Sequence, residues 1–334
     1  MQQQIDFFKK NKSSLQILER NQKRKKIFDE VKIGLAHKKQ RFISSTYLYD
    51  AKGSELFEEI TRLPEYYPTR IEAALLDEIA PKIMENICPH EIVELGSGSS
   101  TKTRYFFGSN KLFTGTYIPV DISYSILEKT IPELIQDFPT LRVHGICGRY
   151  EEAMDFLPIQ QNRLVLFLGG AIGNFTLNTQ ANFFLFLASC MMKGNYMLIG
   201  FDRRTHEKKN IQVIHDAYND KQRVTANFNL NILAHLNREL GANFDVNEWT
   251  HKAYYNSAEH QIEMHVECRN AQQVYIRDLK KNYTFEVGDN IMTEISRKYD
   301  PDELSTWFER YGFKKIECWT DPAEFYGLLL LQRV

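Results

Sequence analysis

Short apolar runs alternate with amphipathic stretches through the middle of the chain. Strand-like runs occupy residues 92–95, 116–120, 141–147, 164–168 and 196–201, and helical stretches lie between them. This β–α alternation predicts a parallel sheet with helices on both faces. Because ligands of such sheets bind at the carboxyl ends of the strands, the loops that follow these strands are the candidate site.

The pattern changes after Asp202. Residues 224–240 predict a helix, and residues 249–290 alternate polar and apolar side chains as strands do. We interpret this segment as an inserted antiparallel unit. Residues 314–319 and 325–331 then predict a hairpin-like pair of strands that completes the large sheet.

The first 45 residues are polar and basic, with lysines at positions 9, 10 and 23. Ile27, Val31 and Leu35 recur every four residues and predict an apolar helix face. We therefore favour a solvated helix pair over a basic arm that binds RNA or a membrane. The whole chain has 42 Lys and Arg against 43 Asp and Glu, a balance that disfavours nucleic acid as the main partner.

The five cysteines are scattered and lack the spacing of zinc ligands. The N-terminus has no secretory hydrophobic core, and no apolar run approaches the ~20 residues that span a bilayer. These features predict a cytoplasmic protein that needs no metal and does not act at a membrane.

A glycine-rich loop follows the first strand of the alternating region. Gly96 and Gly98 let the backbone approach a ligand closely, but Thr101 stands where a dinucleotide fingerprint has its third glycine. The loop therefore favours a nucleoside–amino-acid ligand. Asp121, which ends the next strand, can accept hydrogen bonds from both ribose hydroxyls. A helix-capping role is the alternative, although Ser123 suits the cap of a helix over 124–138 better.

Two further motifs carry candidate chemistry. Residues 168–175 combine three glycines with Asn174, whose amide offers donors and an acceptor to a ligand; a structural Asx turn is the alternative. Glu294 and Ser296 share one face of an extended chain. The carboxylate can accept one N–H of an imidazole and the hydroxyl can bind the other ring nitrogen, while a polar strand face in water is the alternative.

Together these motifs resemble the bacterial histidine Nα-methyltransferases of ergothioneine biosynthesis, over nearly the whole globular part. The most specific run is Leu-Pro-Glu-Tyr-Tyr-Pro-Thr-Arg at 63–70. The resemblance implies an α/β fold: a class I, Rossmann-like S-adenosylmethionine-dependent methyltransferase sheet with an inserted smaller α+β substrate domain. The implied domains are an N-terminal helical segment (1–60) that packs with the substrate domain, the methyltransferase core (61–205), the substrate domain (206–290) and the end of the core (291–334).

The resemblance also implies the site residues. S-adenosylmethionine is assigned to Gly96, Lys102, Asp121, Arg149, Tyr150 and Gly169. The histidine main chain is assigned to Tyr66, Asn174 and Tyr218, and the imidazole to Glu294 and Ser296. The remaining wall of the substrate pocket is assigned to Tyr49, Phe228 and Met264. Three of these residues, which would orient the amine or relay its proton, are the candidate catalytic set: Tyr49, Asn174 and Tyr218.

One stretch departs from the bacterial pattern. Those relatives usually have an Asp-Phe pair near the adenine after the third strand, whereas this chain has Arg149 and Tyr150, closer to the fungal pattern. We expect Tyr150 to stack on the adenine and Arg149 to contact it through its backbone.

The implied activity is methylation of the α-amine of free L-histidine by a monomer, with three successive transfers to the trimethyl betaine hercynine, the first step of ergothioneine biosynthesis. One alternative is a methyltransferase of the same fold that acts on another amino acid or on a histidine-derived thiol. A nicotinamide-dependent oxidoreductase is a further alternative, which the missing third glycine disfavours. A non-catalytic binder of S-adenosylmethionine is the last.

Overall fold

The computed structural model describes residues 12–18, 20–108 and 113–334; for residues 20–26 it describes the backbone only. Lys9 and Lys10, in the segment predicted to form a solvated helix pair, lie outside the described residues. The chain divides into two compact units. The core unit contains the described residues of Met1–Leu18, Pro68–Lys209 and Lys298–Val334, and the small unit contains those of Glu19–Tyr67 and Asn210–Arg297.

The strands and helices follow one another along the described chain. The strands are β1 (Ser13–Ile17), β2 (Arg41–Phe42), β3 (Glu91–Leu95), β4 (Thr116–Asp121), β5 (Arg142–Cys147), β6 (Arg163–Phe167), β7 (Tyr196–Asp202), β8 (Trp249–Asn256), β9 (Gln261–Cys268), β10 (Gln272–Ile276), β11 (Lys281–Phe285), β12 (Asn290–Arg297), β13 (Phe313–Thr320) and β14 (Tyr326–Arg333). The α-helices span Arg20–Ala36, Ala51–Ile60, Tyr67–Ile87, Arg104–Gly108, Tyr124–Asp137, Tyr150–Phe156, Leu177–Cys190, Ile211–Tyr218, Val224–Leu240 and Pro301–Glu309. Short 3-10 turns occupy Ser45–Leu48, Ala171–Asn174 and Val246–Glu248.

The core unit is built on one sheet which, within the described residues, has eight strands in the order β1-β5-β4-β3-β6-β7-β14-β13. Neighbours within the part β1-β5-β4-β3-β6-β7 of this order pair in parallel. Strand β14 runs antiparallel to both β7 and β13. Alternate residues of β3 fill both layers, because Ile92 joins one buried apolar cluster and Val93 and Leu95 join the other. The predicted parallel sheet and its closing hairpin are confirmed.

The N-terminal region differs from the predicted helix pair. Residues Ser13–Ile17 form a strand that extends the sheet in parallel with β5, because Leu15 and Ile17 alternate with polar residues at the period of a strand. The following helix, Arg20–Ala36, does bury Ile27, Val31 and Leu35 as predicted. The segment predicted as 1–60 is therefore divided, with its strand in the core unit and its helix in the small unit.

The small unit contains a sheet in the order β2-β12-β9-β8, counted within the described residues. Strand β12 pairs antiparallel with β9, with Glu294 opposite Met264 and Ser296 opposite Ile262. This pairing places residues up to Arg297 in the small unit, whereas the predicted boundary lies at residue 290. The boundary became visible only through the pairing of β12 with β9, which joins two segments that are distant in the sequence.

One charge cluster lies beside two of the four points at which the chain passes from one unit to the other. Lys209 and Lys298 are the core-unit residues beside these crossings. Both ammonium groups contact the carboxylate of Asp202 at the end of β7, with 2.7 Å from Lys298 Nζ to Oδ2. Both lysine side chains have an exposed fraction of 0%. A single buried carboxylate thus fixes two separate segments of the core unit.

Candidate active site

The glycine loop after β3 has the backbone that close approach of a ligand requires. Gly96 and Gly98 have φ values of 76° and 50°, in the left-handed region that favours glycine. A Cβ added at Gly98 would meet nothing within 4 Å of the described atoms. Beside it, the buried hydroxyl of Ser97 has no hydrogen-bond partner among the described residues. An open cradle with an unused buried hydroxyl fits a polar ligand such as the amino-acid end of a nucleoside cofactor.

Asp121 anchors this loop from the end of β4. Its carboxylate accepts hydrogen bonds from the backbone N–H of Gly98 (2.9 Å) and of Ser123 (2.8 Å). Burial raises the pKa of Asp121, against the opposing effect of these N–H donors. Ser123 is the N-cap residue as predicted, yet its side chain makes no capping hydrogen bond. Asp121 therefore organises the turn before this helix, a role close to the helix-capping alternative. Its contact with ribose stays a prediction.

A buried carboxylate supports the same loop from below. Glu94 accepts hydrogen bonds from the hydroxyls of Thr103 and Tyr117. Burial raises the pKa of Glu94 to about 7, although both hydroxyls favour the charged form. These contacts join the end of β3 to the segment that carries Lys102.

Lys102 and Gly169 are brought together by Glu72, which the sequence analysis did not single out. The Lys102 ammonium contacts Glu72 Oε2, and the Gly169 N–H lies 2.9 Å from each carboxylate oxygen of Glu72. The Tyr326 hydroxyl donates to Oε1 over 2.9 Å. Two residues that were predicted to hold the cofactor thus share one fully buried partner.

Asn174 ends the 3-10 turn Ala171–Asn174, half-buried, in the core unit. Gly169 and Gly170 before the turn have φ values of 74° and 69°, which explains why glycine is needed there. The Tyr299 hydroxyl lies 2.9 Å from the carbonyl of Ile172 and so holds the middle of the turn. The role of Asn174, as a ligand contact or as part of an Asx turn, stays a prediction.

At the predicted adenine end, the backbone of Arg149 is already bonded. Its N–H donates to Glu152 Oε2 (3.1 Å) and its carbonyl accepts from Ala153 N (2.9 Å), because Arg149 begins a helix. The contact of Arg149 with adenine stays a prediction. The Tyr150 ring packs on Phe167, with 5.5 Å between ring centroids. The Tyr150 hydroxyl lies 2.9 Å from the position that a Cβ on Gly96 would take, so Tyr150 borders the glycine loop.

The small unit contains an open cavity of about 250 Å³. It brings together five of the predicted substrate residues with four that were not predicted. The lining is Phe57, Ile60, Tyr66, Ala217, Tyr218, Thr225, Phe228, Met264 and Glu294. A mostly apolar wall with a few polar groups is typical of a site for a small metabolite.

Tyr49 and Ser296, also predicted, lie directly behind this wall. The Tyr49 ring packs on Phe57 and Phe228, with centroid distances of 5.5 and 5.4 Å. The Tyr218 hydroxyl donates to Ser296 Oγ over 2.7 Å. Tyr218 therefore contacts the residue that was assigned to the imidazole, whereas the prediction placed Tyr218 at the amino-acid main chain.

Thr225 is a polar lining residue that sequence reasoning missed. Its side chain is 3% exposed, and within the described residues no hydrogen-bond partner reaches its hydroxyl. The available signal was helical spacing, because Thr225 and Phe228 are three residues apart in helix Val224–Leu240 and so share a face. A buried hydroxyl in a cavity wall is suited to bind a polar ligand atom.

Neither a metal centre nor a membrane span is found in the part of the chain that the structure describes. No group of three or more His, Cys, Asp or Glu side chains there is arranged to hold a metal ion. No helix among those residues has the length and apolarity that crossing a bilayer requires.

Comparison with known proteins bears on the reaction. The model of a family described as "Histidine-specific methyltransferase, SAM-dependent" matches residues 27–333. Histidine N-alpha-methyltransferase of Mycolicibacterium smegmatis is 37% identical over 86% of this chain and 89% of that protein. The protein of the same name from Mycobacterium tuberculosis is 37% identical over 85% of this chain and 88% of that protein. Ergothioneine biosynthesis protein 1 of Schizosaccharomyces pombe is 30% identical over 87% of this chain and 39% of that protein.

These matches confirm the resemblance inferred from the motifs and extend it over most of the chain. They also confirm S-adenosylmethionine as the cofactor and methyl transfer as the class of reaction. The chain belongs to the histidine-specific, S-adenosylmethionine-dependent methyltransferase family.

Proposed function

We propose that this enzyme methylates the α-amine of free L-histidine, in three successive transfers that give hercynine, as the first step of ergothioneine biosynthesis. The observation that carries the proposal is the placement of Glu294 in the wall of the small-unit cavity, with Ser296 on the same face of β12. A carboxylate and a hydroxyl two residues apart match the two nitrogens of an imidazole.

The surroundings of Ser296 support this imidazole clamp. The Tyr218 hydroxyl donates to Ser296 and so fixes the direction of its lone pairs. Tyr218 is itself held, because its carbonyl lies 2.9 Å from the His251 Nε2 atom. His251 Nδ1 in turn contacts the buried Asn229 side chain at 2.9 Å. A chain of hydrogen bonds therefore pre-orients the hydroxyl end of the clamp.

The rest of the cavity suits the other parts of a small amino acid. The rings of Phe57, Tyr66 and Phe228 supply apolar area around an imidazole. The Thr225 hydroxyl supplies a polar contact that the sequence did not suggest. We assign Tyr66 and Thr225 to polar atoms of the substrate outside the ring.

S-adenosylmethionine supplies an electrophilic methyl group on a sulfonium. The main task of the protein is to align the amine, which can lower the barrier by roughly 7 kcal/mol or more. The amine must be neutral to attack, and an α-amine in peptides has a pKa of about 7.7–8.0. Two roles stay predictions: orientation of the amine by Tyr49, Asn174 and Tyr218, and relay of its proton by a tyrosine hydroxyl. The expected cytoplasmic location and monomeric state stay predictions.

Replacement of Glu294 with Ala tests the substrate. We expect KM for histidine to rise by about 10- to 100-fold, the usual effect of removing a hydrogen bond to a charged group. Steady-state kinetics with calorimetry of S-adenosylhomocysteine binding would measure it, and cofactor affinity should not change. Glu267→Ala is the matched control, because Glu267 lies in the neighbouring strand and pairs with the exposed Lys252. An unchanged KM would contradict the imidazole clamp.

The choice of amino acid is tested separately. Methyl transfer should be assayed against each free amino acid and against histidine-derived thiols, with mass spectrometry of the products. We expect histidine to give the highest kcat/KM and a trimethylated product. A higher kcat/KM for another substrate would favour the alternative of a same-fold methyltransferase with different specificity.

The ribose contact of Asp121 is best tested by a variant that keeps part of the hydrogen bonding within the loop. Asp121→Ala would remove the ribose acceptor together with the partners of Gly98 and Ser123. Asp121→Asn keeps one acceptor oxygen for these N–H groups but loses the charge. We expect Kd for S-adenosylhomocysteine to rise by about tenfold in Asp121→Asn. Calorimetry that finds the same Kd as in the wild type would contradict the ribose assignment.

A further inference from the structure

Glu72 occupies an unusual position for a carboxylate. Its side chain is 0% exposed, yet it lies on a helix, Tyr67–Ile87, whose other faces are partly solvated. It accepts hydrogen bonds from the Gly169 N–H, the Lys102 ammonium and the Tyr326 hydroxyl. A buried carboxylate is costly unless it is paired and hydrogen-bonded, and Glu72 meets both conditions.

The three donors come from three different segments. Lys102 follows β3, Gly169 follows the neighbouring β6, and Tyr326 begins β14 next to the end of β7. These are the strand ends where ligands of an open α/β sheet bind. Glu72 thus joins separate loops of the cofactor side of the sheet through one side chain.

The fold makes room for this carboxylate. A Cβ on Gly200, in β7, would lie 1.9 Å from Glu72 Oε1 and 2.8 Å from the Tyr326 hydroxyl. The φ of Gly200 is not in the left-handed region, so glycine is required there for space alone. The absence of a side chain at position 200 and the presence of a carboxylate at position 72 are therefore linked.

We propose that Glu72 is a positioning residue for the cofactor: it holds the Lys102 ammonium and, through the Gly169 N–H, the backbone of the loop after β6 in the arrangement that binds the amino-acid end of S-adenosylmethionine. This inference rests on the proposed cofactor roles of Lys102 and Gly169. The side chain of Lys102 keeps an exposed fraction of 20%, and an ammonium has three N–H donors. Lys102 can therefore bind Glu72 and an anionic group of a ligand together.

The ion pair between Glu72 and Lys102 also affects the net charge beside the proposed cofactor site. Glu72 and Lys102 together have no net charge, so Lys102 offers donors to a carboxylate without adding net positive charge near a cofactor whose sulfonium is cationic. Without Glu72 the ammonium would lose its fixed position and its compensation at once.

The test is a double-mutant cycle between Glu72→Gln and Lys102→Met, with S-adenosylhomocysteine binding followed by calorimetry. We expect each single change to raise Kd by about 10- to 100-fold, the range for loss of a hydrogen bond to a charged group. Because Glu72 acts partly through Lys102, Glu72→Gln should have a smaller effect in the Lys102→Met background than in the wild type, and the remaining effect reports on the contact with Gly169. KM for histidine should change far less than KM for S-adenosylmethionine.

The control is Tyr326→Phe, which removes a donor to Glu72 but leaves Lys102 and Gly169 untouched, and Kd should stay near the wild-type value. If Glu72→Gln does not fold, Gly200→Ala displaces the carboxylate instead, with Gly108→Ala as its control because a Cβ there meets nothing within 4 Å of the described atoms. A Glu72→Gln or Gly200→Ala protein that melts earlier but binds with unchanged Kd would overturn the positioning role. An unchanged Kd in Lys102→Met alone would instead overturn the proposed cofactor role of Lys102.

Discussion

Two buried carboxylates of the core unit, Glu72 and Asp202, each bind lysine, and the exposure of the lysine separates them. Lys209 and Lys298 around Asp202 are both 0% exposed. Lys102 beside Glu72 is 20% exposed. The Lys209 ammonium is also saturated, since it donates to the carbonyls of Arg203 (2.6 Å) and Phe325 (2.8 Å).

The comparison teaches that a buried ion pair alone does not indicate a site. Around Asp202, two buried cations share one carboxylate and Lys209 also donates to two backbone carbonyls, which suits a role in fixing the chain beside two of its four crossings. Around Glu72, one cation keeps a face towards solvent, which suits a role in binding. The two clusters should therefore respond to mutation in opposite ways, one in stability and the other in affinity.

The largest expected effect is on stability, in Asp202→Asn. This change leaves two buried ammonium groups without a counter-ion, and removal of one partner of a buried pair typically costs about 3–5 kcal/mol. Urea denaturation would measure the free energy of unfolding, and calorimetry on the folded protein should give an unchanged Kd for S-adenosylhomocysteine. A loss of affinity with little loss of stability would reverse our assignment of the two clusters.

A smaller effect is expected in the pH dependence of Asp202's partner Lys209. Burial, reinforced by the charge of Lys298, lowers the pKa of Lys209 to about 8, although Asp202 opposes the shift. The unfolded chain has a lysine pKa of about 10.4 and so binds more protons between these values. The stability of the wild type relative to Lys209→Met should therefore rise between about pH 8 and 10, by at most about 1.4 kcal/mol per unit. A difference in the free energy of unfolding between the two proteins that stays constant from about pH 8 to 10 would contradict the lowered pKa of Lys209.

The smallest effect is expected at an exposed pair of the same kind. Asp302 contacts Lys315 at 3.3 Å, and its side chain is 89% exposed. Asp302→Asn should change the free energy of unfolding by less than about 0.5 kcal/mol, because solvent screens such a pair. Chemical denaturation beside Asp202→Asn would show how much of the larger effect comes from burial. Equal losses in the two variants would mean that burial is not the cause.

Much of the fold could be predicted from local patterns. The strands around Ile92 and Tyr117 are apolar runs bounded by turn residues, so periodicity was sufficient to find them. Several residues that line the small-unit cavity were named together from the sequence, because Glu294 and Met264 belong to motifs that carry the family resemblance.

What the sequence did not show depends on contacts between distant segments. Glu72 looks like an ordinary helix residue until Lys102 and Gly169 are seen to share it. The spacing of Thr225 and Phe228 places them on one helix face, but only the structure shows that the Thr225 hydroxyl is buried in a cavity wall. The role of β1 was hidden as well, because its alternation of polar and apolar residues is short and its partner β5 is distant in the sequence.

The β-bulge in β12 determines which face of the sheet Glu294 occupies. Met292 pairs with His265 but Glu294 pairs with Met264, so Thr293 is the extra residue of the strand. In a regular strand Glu294 would stand opposite Glu263, on the other face of the sheet and beside a like charge. Deletion of one residue near Thr293 would leave Glu294 and Ser296 in the sequence. It would turn the Glu294 side chain to the other face of the sheet, away from the cavity. Among relatives, an insertion or deletion near this position would therefore predict a change of substrate better than the identity of Glu294 itself.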